Sequence, residues 1–187
     1  MGNLYIGLFH FPMRSRTGEI VATSTTSVDV HDIARTARTY GVTRYFVVTP
    51  LPSQQRISWR IRGFWTEGER ANNESRRAEA LEIVTVAADL EETLAAIEAA
   101  EGMSPLIVAT SARRHGKESI SYEALKEHLR REERPVYIIF GTGWGMAEEL
   151  IEATDVLLPP IRANSDFNHL SVRAAVAIVL DRVVGEN

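Results

Sequence analysis

Cysteine is absent from the 187 residues, which excludes disulfides, thiolate metal sites and a cysteine nucleophile. Any chemistry must come from hydroxyl, imidazole, carboxylate and guanidinium groups, or from the backbone. Long apolar runs are missing as well. No stretch approaches the roughly eighteen apolar residues of a membrane-spanning helix, and Met1 to Phe9 carries no basic flank of the kind that precedes the apolar core of a signal peptide. A cytoplasmic protein with no membrane partner is the expectation. Two nucleotide-binding signatures are also wanting. There is no G-x-x-x-x-G-K followed by Ser or Thr, and no G-x-G-x-x-G joins the first strand to its helix with an acid about twenty residues on.

What is present suits one compact core. Apolar residues make up 44% of the chain and the net charge is −4, enough for one domain and short for two, so residues 1–187 are read as a single unit. The small net charge hides an uneven distribution. Residues 31–77 hold nine arginines against four acids, whereas residues 78–101 hold seven acids and no base. Arginine is preferred to lysine throughout the basic block, and its planar fork suits phosphate and base recognition better than a point charge does. A solvated, generally arginine-rich surface explains the same block.

The hydrophobic pattern alternates between strand and helix. Leu4 to Phe9 reads as a buried strand, and Ile20 to Ser24 as a short extended piece. Asp29 is read as the N-cap of a helix carrying Ile33, Ala34, Ala37 and Tyr40 on one face and ending at Gly41. Tyr45 to Val48 follows as a strand, then a helix over 53–66, then a polar stretch from Arg70 to Ser75 read as a loop or ragged helix end. Strands over Ile83 to Ala87 and Leu106 to Thr110 flank a helix from Leu90 to Glu101. A helix from Ser119 to about Arg131 leads to the strand Val136 to Phe140. A short helix after Gly145, a last strand from Val156 to Leu158 and an apolar closing helix from Asn168 to Val184 complete the chain. Continuous apolar strands separated by helices imply an α/β fold, a mainly parallel sheet with helices on both faces. No internal repeat, low-complexity tract or linker interrupts it.

Two late segments invite a ligand. The strand Tyr137 to Phe140 runs into Gly141-Thr142-Gly143-Trp144-Gly145, where glycines permit close backbone approach. Pro159 to His169 offers Asn164, Ser165, Asp166, Asn168 and His169 beside an apolar platform of Leu157, Leu158 and Ile161. Apolar walls with backbone N–H and C=O groups suit an adenine ring. A tight strand-to-helix connection and a helix cap at Asn168 are the structural alternatives.

Three segments then carry a family resemblance. Asp29 to Val42, with its Ile33-Ala34-Arg35-Thr36-Ala37 core and Tyr40-Gly41 pair, resembles the first motif of the SPOUT (α/β-knot) RNA methyltransferases. Phe140 to Gly145 is similar to the family's glycine-bearing second motif, and His169 to Ala175 to the start of its third-motif helix. The whole chain resembles the stand-alone bacterial members. The resemblance implies a C-terminal trefoil knot, an exception to the rule against threaded chains, and a homodimer, with the closing-helix face of Val172, Val176 and Val179 as a dimer surface or, alternatively, core. It also implies S-adenosylmethionine as cofactor, no metal, and a tRNA or rRNA nucleotide as methyl acceptor. Cofactor contacts are then expected at Thr110 and Ser111, at Gly141, Thr142 and Gly143, and at Leu158, Ile161, Asn168, His169 and Leu170.

Methyl transfer from a sulfonium needs alignment of the acceptor and management of one proton. Arg35 matches the arginine that the ribose-methylating branch uses, so the resemblance implies it as the catalytic residue, by orientation more easily than as a free base. His31, Asp29 and Ser171 depart from the family's glycine, asparagine and asparagine, which leaves the acceptor atom open. His169 and His31 are alternative proton carriers, and the basic loop Ser111 to Lys117 is a candidate for RNA phosphates. A SPOUT-like protein that binds RNA or S-adenosylmethionine without catalysis is the alternative of a different class. A hydride-transfer or nucleotide-binding regulatory protein is disfavoured by the failed fingerprint.

Overall fold

The computed structural model describes residues 2–67, 76–113, 115–131, 134–162, 164 and 167–186. Eight strands and seven helices alternate among them. They are β1 (Leu4–Phe9), β2 (Met13–Arg14), β3 (Ile20–Val21), α1 (Ser27–Thr39), β4 (Arg44–Val48), α2 (Pro52–Thr66), α3 (Arg76–Leu81) and β5 (Val84–Ala87). There follow α4 (Leu90–Glu101), β6 (Leu106–Ala109), α5 (Tyr122–Arg131), β7 (Val136–Gly141), α6 (Glu148–Glu152), β8 (Val156–Leu157) and α7 (Val172–Val184).

Six strands form one sheet in the order β5-β4-β1-β7-β6-β8, and every pairing in it is parallel. Parallel strands need covered faces, and the alternation along β1 shows how they get them. Leu4, Ile6 and Leu8 enter a core shared with α1, α5 and α7, whereas Tyr5 and Phe9 enter a second core with Ile97 of α4 and Ile151 of α6. The pair β2 and β3 forms a separate antiparallel ribbon. No helix among the described residues is long and apolar enough to cross a membrane.

Three helix starts differ from the sequence expectation, each because a cap is decided by a hydroxyl further along or back. Thr26, not Asp29, caps α1: its Oγ1 accepts from the Asp29 N–H at 3.2 Å and donates to the Asp29 carboxylate at 2.6 Å. Ser171, not Asn168, caps α7, so the closing helix begins at Val172. Ser119 bridges to the end of β8 and donates to the Leu157 carbonyl at 3.0 Å, leaving Ser121 to accept from Ala124 N–H at the start of α5. The extended piece at Ile20 is shorter than expected, and α3 lies where no helix was expected. The expected loop from Arg70 to Ser75 falls outside the described residues. Val176 and Val179 are buried in the core of this chain, so they are not available as a dimer surface. Gly41 does end α1, with φ of 71° that an L side chain adopts only under strain.

Candidate functional site

A cavity of about 750 Å³ opens at the carboxyl ends of β1, β7, β6 and β8, the edge where open α/β sheets take ligands. Four segments wall it. After β6, Thr110 is pinned by its Oγ1 donating to the Ile139 carbonyl at 2.9 Å, and Ser111 follows it into the wall. After β7, Gly141, Thr142 and Gly143 line the next side. The Thr142 hydroxyl donates to the Phe9 carbonyl at 3.0 Å, and Gly143 and Gly145 take φ of 59° and 100° to turn the chain over the cavity.

The third wall comes from the segment after β8. Leu158 N–H donates to the Ala109 carbonyl at 2.9 Å, and Leu158 and Ile161 give an apolar surface. Asn168, His169 and Leu170 close that side, with the Asn168 amide donating to the Ala112 carbonyl at 3.1 Å. Tyr122 donates to the Pro159 carbonyl at 3.3 Å and fixes the same segment from α5. The fourth wall holds Arg14 from the ribbon, Thr23 and Ser24 just after it, and Asp29 from α1. All ten residues expected around a cofactor therefore line one cavity.

Arg35 does not. It is exposed on α1, outside the wall, with no ion pair or side-chain hydrogen bond among the described residues. His31 is also outside. Its Nδ1 meets the Ser27 carbonyl at 2.6 Å and its ring lies edge-on to Trp65. His169 is in the wall, beside the Phe167 ring.

Sequence reasoning missed two arrangements. Ser111 Oγ lies 3.0 Å from His115 Nε2, and His115 Nδ1 lies 3.3 Å from both carboxylate oxygens of Glu148 on α6. Ser111 and His115 both line the cavity, and the imidazole is nearly enclosed at 9% exposure. The loop was read from sequence only as a basic one, since Glu148 lies 33 residues from His115. The second arrangement lies beneath the glycine turn. His10 is fully buried at the end of β1, with Nδ1 3.0 Å from Thr23 Oγ1, which in turn meets Thr142 Oγ1. Burial pushes this imidazole down to about 4, against the opposing pull of the Asp29 carboxylate. His10 is neutral at working pH. With the Thr142 hydrogen given to Phe9, the network assigns His10 as the Nδ1–H tautomer, donating to Thr23, which donates to Thr142.

Size, apolar walls and converging backbone groups define a parallel α/β protein built to enclose a nucleoside-sized ligand. Comparison with known proteins narrows the class. Residues 3–185 match the family model described as SAM-dependent RNA methyltransferase, and the chain belongs to that family. It is 39% identical to an uncharacterized protein of Aquifex aeolicus (strain VF5) over 99% of this chain and 90% of that one. It is also 39% identical to a tRNA (guanine-N(1)-)-methyltransferase of Oleidesulfovibrio alaskensis, over 98% of this chain and 42% of that protein. The chain thus spans less than half of that relative, and the activity in its name is that of the longer protein. Among solved structures, TrmJ from Z. mobilis ZM4 superposes with a TM-score of 0.65 at 16% identity, over the whole of this chain and 70% of that one. The two chains share their fold.

The walls fit S-adenosylmethionine. Leu158, Ile161 and Val179 supply the apolar face an adenine needs, and the turn from Gly141 to Gly145 brings backbone close beside it.

Proposed function

We propose that residues 1–187 form one methyltransferase domain that methylates a nucleotide of tRNA or rRNA, with S-adenosylmethionine held at the carboxyl edge of the sheet. The observation that carries this reading is the convergence of three separate stretches on one cavity of nucleoside size: Thr110 to Arg113 with His115, Gly141 to Gly145, and Leu158, Pro159 and Ile161 with Asn168 to Leu170. The longer tRNA-methylating relative supports tRNA as the acceptor class. A knotted chain path belongs to the same reading, supported by Tyr122 of α5 holding Pro159 and by Asn168 bonding to Ala112 after β6.

S-adenosylmethionine supplies, when bound, a methyl group already activated by its sulfonium. The chain's own task is alignment and one proton. Leu158 and Ile161 hold an apolar heterocycle, while the backbone at Gly143 and Trp144 offers hydrogen-bonding groups to its edges. With Nδ1–H donated to Glu148, His115 presents Nε2 as an acceptor to the Ser111 hydroxyl, which also accepts from Arg113 N–H at 3.1 Å. A proton leaving the nucleotide acceptor moves to Ser111 Oγ as the serine proton moves to His115 Nε2. Arg35 enters this scheme only through a second copy of the chain. It stands on the uncovered face of α1 beside exposed Val28, and the homodimer that the family resemblance implies is what would bring it to a substrate.

Calorimetric titration with S-adenosylmethionine tests the reading, with S-adenosylhomocysteine and NAD as controls. One-to-one binding of the first two alone is expected, with a change in fluorescence that the Trp144→Phe variant loses, because Trp144 lines the cavity and is 48% exposed. Labelled-methyl transfer to bulk tRNA and rRNA then reports catalysis. Binding without transfer to any RNA would favour the non-catalytic alternative.

A further inference from the structure

The basic block singled out in the sequence has a definite place in the fold, and the cavity does not account for it. Its centre is α2. Over fifteen residues this helix carries three arginines and no acid. Its inner face is set by Ser58, which is fully buried, and by Ile61 and Trp65, which pack on the core beside α1 and α3. The opposite face shows Arg56 and Arg60 one turn apart, between Ile57 and Phe64 on one side and Trp59 on the other. Ile57, Trp59 and Phe64 are all more than 40% exposed. Arg56 and Arg60 have no side-chain partner among the described residues. Arg62 lies over the Trp59 ring, its Cζ 5.6 Å from the centroid.

An acid-free helix that exposes both guanidinium groups and aromatic faces matches a chain of phosphates carrying bases. Its position fits as well. Gln54, in the first turn, accepts from Thr25 N–H at 2.8 Å, and the neighbouring Thr23 and Ser24 line the cavity. The helix therefore leads away from the cavity mouth. The carboxylates of the nearby helices α1 and α3 are already paired: Asp29 and Asp32 face Arg173, and Glu79 faces Arg38 and Arg76.

We infer that the exposed face of α2 is an RNA-docking surface, in which Arg56 and Arg60 hold backbone phosphates and Trp59 stacks an unpaired base. This deepens the methyltransferase reading and rests on it. A second copy of the chain is the competing occupant, because α4 presents the complementary acids Glu91 and Glu92 with no base.

The experiment compares wild type, Arg56→Glu/Arg60→Glu and Trp59→Ala for binding to bulk tRNA across a range of salt. S-adenosylmethionine calorimetry and sedimentation are run on each. Phosphate contacts are independent of sequence, so bulk tRNA is an adequate probe. The double variant is expected to bind at least tenfold more weakly, with a salt slope smaller by about two phosphate equivalents. Trp59→Ala is expected to lose about tenfold at every salt concentration with the slope unchanged. Both should bind S-adenosylmethionine as wild type does, which also reports that they are folded. Unchanged tRNA affinity and slope in the double variant would overturn the surface alone. The same result with loss of self-association would assign α2 to contacts between copies. Wild type that binds S-adenosylmethionine but no RNA would overturn the surface and the RNA acceptor while leaving the cofactor reading. Wild type that binds neither would overturn the methyltransferase reading itself.

Discussion

Arg173, in the first turn of α7, ties that helix to the start of α1. Its Nη1 donates to Asp32 Oδ2 at 3.1 Å, and its Nε stands 3.2 Å from Asp29 Oδ1, at ion-pair distance but without hydrogen-bond alignment. Asp29 lines the cavity, so this pair holds a wall of the site as well as two helices. The guanidinium is 38% exposed and the Asp32 carboxylate 46%, which limits the energy to that of a partly solvated pair. Arg173→Ala is expected to cost about 1 kcal/mol in chemical denaturation. In a double-mutant cycle with Asp32→Asn, most of that loss should be shared. Additive losses would show that the pair contributes nothing.

Gly141 is a packing requirement and not a conformational one. Its φ lies outside the positive range, but a Cβ there would stand 2.6 Å from Met146 Cγ and 3.0 Å from the Met146 backbone nitrogen. The backbone atom cannot step aside. Gly141→Ala is therefore expected to destabilise by about 1 to 3 kcal/mol and to weaken S-adenosylmethionine binding at least tenfold, because the turn that lines the cavity must move. Wild-type affinity in this variant would show that the turn does not contact the cofactor.

The sequence made the sheet legible because β1, β4 and β7 are buried on both faces and read as unbroken apolar runs. The ten cavity residues were reachable for a related reason: strand ends in a parallel sheet share one edge, so loops that follow strands converge. What escaped were relations between distant residues. Asn168 has the right chemistry for a helix cap, but its amide is taken by the Ala112 carbonyl 56 residues away. Ser119 is taken by Leu157 in the same manner. A helical period places Arg35 on α1 but does not tell which side of α1 the cavity will occupy.

His10 sets an acid limit on stability. Its folded value of about 4 lies below the ordinary 6.5, so the unfolded chain takes up a proton that the native chain refuses. Stability is complete above pH 6.5 and is lost as pH falls toward 4. Linkage puts the loss from this one group at about 2 kcal/mol between pH 7 and pH 5. Urea denaturation at several pH values checks it, with His10→Asn as the control. That variant keeps a donor near Thr23 but does not titrate, so its stability should fall less over the same window. A wild-type curve no steeper than that of the variant would show that His10 is not the responsible group.

The Ser111–His115–Glu148 chain separates proton handling from cofactor binding, and the two can be measured apart. His115 meets Ser111 at 3.0 Å and Glu148 at 3.3 Å, an arrangement that lets a hydroxyl pass a proton to an imidazole held in one tautomer by a carboxylate. His115→Ala is expected to lower methyl transfer by about 10²-fold or more, the usual contribution of a positioned acid–base group. S-adenosylmethionine affinity should stay within about threefold, because the cavity walls at Gly141 to Gly145 and Leu158 to Ile161 are untouched. Glu148→Gln should lose less, since it removes the charge while keeping a group that can hydrogen-bond His115 Nδ1. Ser111→Ala distinguishes relay from direct transfer. If the proton passes through the serine, its loss should approach that of His115→Ala, and the two changes combined should cost no more than either alone. Losses that instead multiply would mean that Ser111 and His115 act separately, and unchanged transfer in His115→Ala would remove the imidazole from the mechanism.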